Sequence, residues 1–234
     1  MTEFRPGRFQ ILPTIVKNLI IINVLVFLAQ SVFGNALGFS FEDVFALHTW
    51  QSDLFKPWQF ITHLFLHGNI GHIFGNMLAL WMFGSILENL WGPRRFLIFY
   101  IVCGLGAALC HMIVLYVEMQ HLLQQYNALS YVDQQQYRTA VFNRIDEPTL
   151  GASGAVFGCL AAFGYLFPNT YIYLYFFVPI KAKWFVIMYA AFEFVNAIQN
   201  SAGDNVAHVA HLGGALVGFI LVYFWNKNNR GNFY

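Results

Sequence analysis

The chain has 234 residues, of which 58% are hydrophobic, 19% aromatic and only 10% charged. A soluble domain usually carries about a quarter charged residues, so this composition points to a polytopic membrane protein. A net charge of +1 without any basic tract gives no sign of a nucleic-acid partner, and Cys103, Cys110 and Cys159 all lie in apolar runs, as packing residues rather than a disulfide or zinc framework.

A membrane span needs about 20 mostly apolar residues. Six segments qualify in chain order: residues 15–33, 70–90, 96–117, 150–167, 184–198 (short) and 206–225. The first is too long for a signal-peptide core and lacks a small-residue cleavage site, so it reads as an anchored span. Residues 34–69 follow it, rich in Phe39, Phe41, Phe45, Trp50, Phe55, Trp58 and Phe60, and are expected to lie half-sunk in the outer interface. Residues 118–149 are polar and Gln-rich, with a short amphipathic stripe of Tyr137, Val141, Phe142 and Ile145. Residues 171–180 are apolar but too short to cross; alternating Ile172, Leu174 and Phe176 suit an extended or interfacial segment. No repeat or linker separates a second domain, so residues 1–234 read as one membrane domain, an all-α bundle of six transmembrane helices.

Charge placement agrees with six spans. Arg5, Arg8, Lys17, Arg94, Arg95, Lys181, Lys183, Lys227 and Arg230 are nine of the twelve Lys and Arg residues, and all fall on one side. The positive-inside rule puts that side, and both termini, in the cytoplasm.

Spans two, four and six then run from outside to inside. Ser153 lies three residues into span four, His211 five into span six, and His72 and Asn76 two and six into span two. At about 1.5 Å per residue, all four fall within the outer ~10 Å of the bilayer. His72 and Asn76 share one helical face at i,i+4. Polar groups inside a membrane are costly, and their agreement in depth points to use. Gly154 and Gly158 on span four, and Gly214 and Gly218 on span six, are small-xxx-small faces that allow close backbone approach. Packing of these faces brings a serine within reach of a histidine base, as a serine nucleophile requires. Glu193, an acid within span five, is expected to be structural, hydrogen-bonded to a neighbouring helix or facing a water cavity.

At these residues the chain resembles the rhomboid family of intramembrane serine proteases, over nearly its whole length. The family's GxSG motif is matched by Gly151-Ala152-Ser153-Gly154, which implies Ser153 as nucleophile. Its AHxxGxxxG pattern is matched from Ala210 and His211 through Gly214 to Gly218, which selects His211 over His208 as base. His72 and Asn76 match the span-two signature and imply oxyanion donors. His63 and His67 resemble the histidines upstream of it, and Glu88, Trp91-Gly92 and Arg95-Phe96 the turn after span two. Two departures stand out. Trp58 is followed by Gln59 where many members have arginine, and Phe157 stands where some relatives pack tyrosine on the catalytic histidine.

The resemblance implies cleavage of peptide bonds in or near transmembrane helices of membrane-protein substrates, by a Ser–His dyad without metal or cofactor. The expected setting is a lipid bilayer, the bacterial inner membrane. An outward-facing water cavity lined by His63, His67, His72 and Asn76 is expected, with span five as a substrate gate through Phe192 and Phe194. Two rival readings are a pseudoprotease that only binds membrane helices, and a histidine-rich metal- or haem-binding membrane protein using His63-xxx-His67 or His208-xx-His211.

Overall fold

The computed structural model describes residues 9–38, 40–174, 178–199 and 207–229. Arg5, Arg8, Phe39, Phe176, Val206 and Arg230, used above, lie outside the described residues. Among the described residues ten α-helices follow in order: α1 (Thr14–Leu37), α2 (Phe41–Phe45), α3 (Gln59–Thr62), α4 (Ile70–Ala79), α5 (Ser85–Trp91), α6 (Pro93–Asn127), α7 (Tyr131–Ile145), α8 (Ser153–Leu166), α9 (Ala182–Gln199) and α10 (His208–Asn229). A π-turn at Leu80–Gly84 joins α4 to α5, so the second expected span is one continuous rod. The architecture is an all-α membrane bundle with one small β addition.

Local chemistry explains where several elements begin. Glu88, almost fully buried, accepts hydrogen bonds from the N–H groups of Ile15 (2.9 Å) and Val16 (2.8 Å), capping the start of α1 from another helix. Asn69 caps α4 through its side-chain oxygen, 2.8 Å from the His72 N–H. Pro93 opens α6 after Gly92, whose φ of 79° favours glycine.

Among the described residues, four helices are long and apolar enough to cross a membrane: Thr14–Gly34, Ile70–Trp91, Pro93–Asn127 and His208–Lys227. The fourth and fifth expected spans form the shorter helices α8, of 14 residues, and α9, of 18. α8 is mostly buried between α6 and α10 and has little surface to match to lipid. Elsewhere the bundle wears an apolar coat: Leu25, Leu28 and Val32 on α1, Ile113 and Val117 on α6, and Phe219 and Phe224 on α10 are exposed. Soluble proteins do not present such a contiguous belt, and here lipid covers it. The inner core runs through Leu80, Leu87, Phe96, Phe99, Tyr100, Cys103 and Cys159. The cysteines are free, two of them fully buried as packing residues.

Three segments differ from or sharpen the sequence reading. α6 runs ten residues past the expected end of span three, and α7 folds back on it, burying Val141 and Ile145 against Met119. The stripe is real, although Tyr137 and Phe142 stay exposed. The 40–69 region is a packed cap with Leu47, His48, Gln59, His63, Leu64 and His67 buried, while Trp50 and Trp58 stay exposed. Gln59 holds it together, accepting from the N–H groups of His48 (3.3 Å) and Lys56 (3.1 Å) and donating to the Leu54 carbonyl (2.9 Å). Residues 171–174 and 178–181 are extended: β1 (Tyr171–Leu174) pairs antiparallel with β2 (Val178–Lys181).

Candidate active site

Glycines set the distance between α8 and α10. A Cβ at Gly214 would sit 1.9 Å from the Gly154 carbonyl oxygen, and one at Gly218 would sit 2.6 Å from that of Gly158. Backbone therefore rests on backbone along both small-xxx-small faces. α6 closes the third side, with Ala107 against Gly154 and Cys103 against Gly158.

That contact places the two motif residues together. His211 Nε2 lies 2.8 Å from Ser153 Oγ, a hydrogen bond between residues 58 apart in sequence. Ser153 is the first residue of α8, where the backbone N–H groups have no partner within the helix and the helix dipole favours negative charge. The turn before it needs glycine twice over. Gly151 has φ of 127°, and a Cβ there would meet the His72 ring at 2.8 Å. The same turn is pinned from behind: the Gly151 N–H donates to the His63 carbonyl (2.9 Å), and Leu47 and Thr149 exchange backbone bonds of 2.9 and 2.8 Å.

His72 and Asn76 stand beside this turn on α4. The Gly68 N–H donates to His72 Nδ1 at 3.4 Å, which leaves Nε2 as the protonated nitrogen of the neutral ring, next to Gly151. Asn76 is buried and donates one N–H to the His72 carbonyl at 3.2 Å, keeping a second in hand. Phe157, one turn after Ser153, lies flat on the His211 ring at 4.3 Å and 5°. It occupies the packing position that the family comparison assigned to an aromatic.

A cavity of about 890 Å³ opens onto these groups, lined by His72, Asn76, Ser153, Phe157, His208 and His211. His63 and His67 do not line it, contrary to expectation. His63 is buried under the Gly151 turn with Nδ1 on the Gln59 carbonyl (2.7 Å), and His67 is buried behind the His72 ring, edge-on at 5.0 Å. Burial pushes both imidazoles down to a pKa of about 4, and His72 adds to the effect on His67. His111, which the sequence reading passed over, also reaches the cavity wall, with Nε2 3.0 Å from Thr149 Oγ1.

Glu193 hydrogen-bonds to a neighbouring helix, one of the two settings expected of it, and its partners there are His208 and His211. Its Oε2 lies 2.9 Å from His211 Nδ1 and 2.6 Å from His208 Nδ1. Depth along α9 was legible beforehand; the direction in which Glu193 faces was not.

The rhomboid domain model matches residues 54–228 of this chain. The chain belongs to the rhomboid family. This rhomboid is 27% identical over 219 residues to RHOMBOID-like protein 12, mitochondrial, of Arabidopsis thaliana, covering 94% of this chain and 60% of that protein. It is 26% identical over 211 residues to Rhomboid protease GluP of Bacillus subtilis, covering 88% of this chain and 34% of that protein. Against Rhomboid protease AarA of Providencia stuartii the identity is 28% over 219 residues, with 87% and 69% covered. The chain thus spans a third to about two thirds of the length of these relatives. A multi-pass membrane protein fits both the family and the apolar helices. The bacterial inner membrane draws no support, because relatives with mitochondrial names stand beside the bacterial ones.

Proposed function

We propose that this rhomboid is an intramembrane serine endopeptidase that cleaves membrane-protein substrates in or near a transmembrane helix. The observation that carries the reading is the 2.8 Å bond between His211 Nε2 and Ser153 Oγ at the mouth of a helix facing a cavity. Ser153 Oγ attacks the scissile carbonyl carbon while its proton passes to His211 Nε2. The carbonyl π pair moves onto oxygen, and the resulting oxyanion is held by the Ser153 N–H, His72 Nε2–H and Asn76 Nδ2–H. His211 then gives the proton to the departing amine nitrogen as the C–N bond breaks. Water entering from the cavity repeats the sequence on the acyl-enzyme, restoring Ser153. A helical substrate hides its carbonyls in hydrogen bonds, so it must leave the lipid sideways and unwind to present one. α9, with Phe192 and Phe194 exposed on its outer side, is the gate in this reading. Six spans, both termini on the cytoplasmic side and the cavity on the other belong to the same proposal.

The metal-binding rival has one observation in its favour: Glu193, His208 and His211 offer ligand atoms within 4.8 Å of one another. Two ligands on one tetrahedral zinc, each at about 2.0–2.1 Å, stand about 3.3 Å apart. The nitrogen–oxygen separations here are 2.6 and 2.9 Å, the spacing of hydrogen bonds. The donor set does not fit a metal without opening. A pseudoprotease needs neither Ser153 nor His211, and their pairing argues against it.

The test is reaction with a fluorophosphonate probe together with cleavage of a model transmembrane substrate. Wild type becomes labelled on Ser153 and cleaves; Ser153→Ala and His211→Ala do neither, yet melt close to wild type. An unlabelled, inactive wild type, or equal activity in Ser153→Ala, overturns the proposal.

A further inference from the structure

α9 buries the wrong kind of residue. Apart from Ala182 at its start, the residue it buries is Glu193, while Ile187, Met188, Phe192, Phe194, Val195 and Ile198 are exposed. A carboxylate turned into the bundle beneath a lipid-facing apolar surface is expensive unless specific donors meet it. Two do, both on α10, and both through Nδ1.

With Glu193 ionised, the bonding pattern assigns the proton positions. An ionised carboxylate only accepts, so each imidazole donates from Nδ1–H. With its proton on Nδ1, neutral His211 presents the lone pair of Nε2 to the Ser153 hydroxyl, 2.8 Å away. That is the tautomer a general base needs at that nitrogen. The opposite tautomer would point an N–H at Ser153 and leave Nδ1 unable to bond the carboxylate. Phe157 stacks on the ring face, which limits tilt, and the carboxylate limits rotation in the ring plane.

We infer that Glu193 is a positioning residue for the proposed protease, holding His211 in its reactive tautomer and orientation, with His208 steadying the carboxylate through the second bond to the same oxygen. The inference rests on the Ser153–His211 reading and extends it from two residues to a Ser–His–Glu series with a histidine brace. When the Ser153 proton reaches Nε2, His211 becomes an imidazolium facing a carboxylate at 2.9 Å. Glu193 keeps its charge and exchanges no proton; it stabilises the cation by proximity. Among the described residues, Tyr189 on α9, His208 on α10, His72 on α4 and His111 on α6 are titratable groups that line the cavity near the pair.

The experiment compares Glu193→Gln, Glu193→Asp and His208→Ala in the full chain. It reads three quantities: kcat and KM on a transmembrane substrate, the rate of fluorophosphonate labelling of Ser153, and the 15N shifts of labelled His211. Glu193→Gln keeps shape and removes charge. It is expected to lower kcat about 10²–10⁴-fold, by analogy with the loss of the acid in a soluble triad. KM should hardly move, labelling should slow in step with kcat, and the His211 shifts should leave the Nδ1–H pattern. Glu193→Asp, a carboxylate on a shorter stem, should recover part of the loss, and His208→Ala should lose much less than Glu193→Gln. Turnover and labelling at wild-type rates in Glu193→Gln, with His211 still protonated on Nδ1, overturn the inference. If Glu193→Gln does not fold, the same shifts in Glu193→Asp and His208→Ala decide: an unchanged His211 pattern and unchanged labelling in both count against it. Failure here with Ser153 still labelled in wild type sinks only the role of Glu193; absence of labelling in wild type sinks the protease reading itself.

Discussion

Gly214→Ala adds one methyl group to α10 at the closest point of the bundle. The new Cβ would lie 1.9 Å from the Gly154 carbonyl oxygen, whereas ordinary van der Waals contact begins near 3.4 Å, so the two backbones must part by about 1.5 Å. No flexible side chain stands between them to absorb this. Ser153 precedes Gly154 directly, and His211 lies one turn before Gly214, so the displacement falls on the pair itself. A separation of 2.8 Å widened by that amount is beyond hydrogen-bond reach. Misplacement of reacting groups by about 1 Å can cost 10²-fold in rate, and overpacking typically costs about 1–3 kcal/mol in stability. The expected result is a kcat loss of at least about 100-fold, measured on a transmembrane substrate, in a protein that still folds but melts earlier. Gly218→Ala meets the Gly158 carbonyl oxygen in the same way, about two turns beyond His211, and should cost comparable stability with a smaller loss of rate. Wild-type turnover in Gly214→Ala would falsify the claim that backbone contact sets the Ser–His distance.

His72→Ala and Asn76→Ala each remove one proposed oxyanion donor and are expected to lower turnover about 10²–10³-fold while Ser153 still reacts slowly with the probe; full activity in both removes the role. Glu88→Ala strips the cap from α1 and leaves one buried and one part-buried N–H unpaired, so its melting point should drop in line with about 1–3 kcal/mol, with the specific activity of the folded fraction retained. His63 and His67 are neutral in the folded protein down to a pH of about 4, whereas in the unfolded chain they take up protons below about 6.5. The unfolded state therefore binds more protons between these values, and stability should fall as pH drops through that window and be fully present above it. Thermal melts of wild type and His63→Gln from pH 4 to 8 check this; an equally acid-labile variant would show that His63 contributes nothing.

Much of the site could be read from spacing because spacing carries chemistry. Gly151, Ser153, Gly154, His211, Gly214 and Gly218 each sit where a backbone or a proton transfer demands that residue type, and a pattern of that kind survives translation into one dimension. Depth was also legible, since rise per residue converts position into height. Azimuth was not. Glu193 could be placed at the right level, but whether it faced lipid, water or His211 depended on how α9 rotates against α10, and the exposed apolar residues surrounding it on α9 give no moment to settle that. His63 and His67 were expected to line the cavity alongside His72, yet the cap folds His63 inward beneath the Gly151 turn and His67 behind the His72 ring. The extra length of α6 escaped because residues 118–127 are polar enough to resemble a loop, while their partner in α7 is visible only in three dimensions.

The contact between α8 and α10 has one more consequence, concerning the lipid around it. Bilayers differ in thickness, and long helices answer a mismatch by tilting. α8 is short and enclosed, and sliding it along α10 would drive Gly154 and Gly158 out of the only positions where the opposing glycines admit them. The Ser153–His211 gap behaves as a gauge block, indifferent to the membrane that surrounds it. α9 has no such backbone lock: it exposes apolar side chains along much of its length and is held inward by side chains, through Val186 against Gly164, the Phe157–Tyr189 ring contact and the Glu193 carboxylate. On the proposal above, a change of lipid would reach Glu193 through α9 before it reached the Ser153–His211 contact.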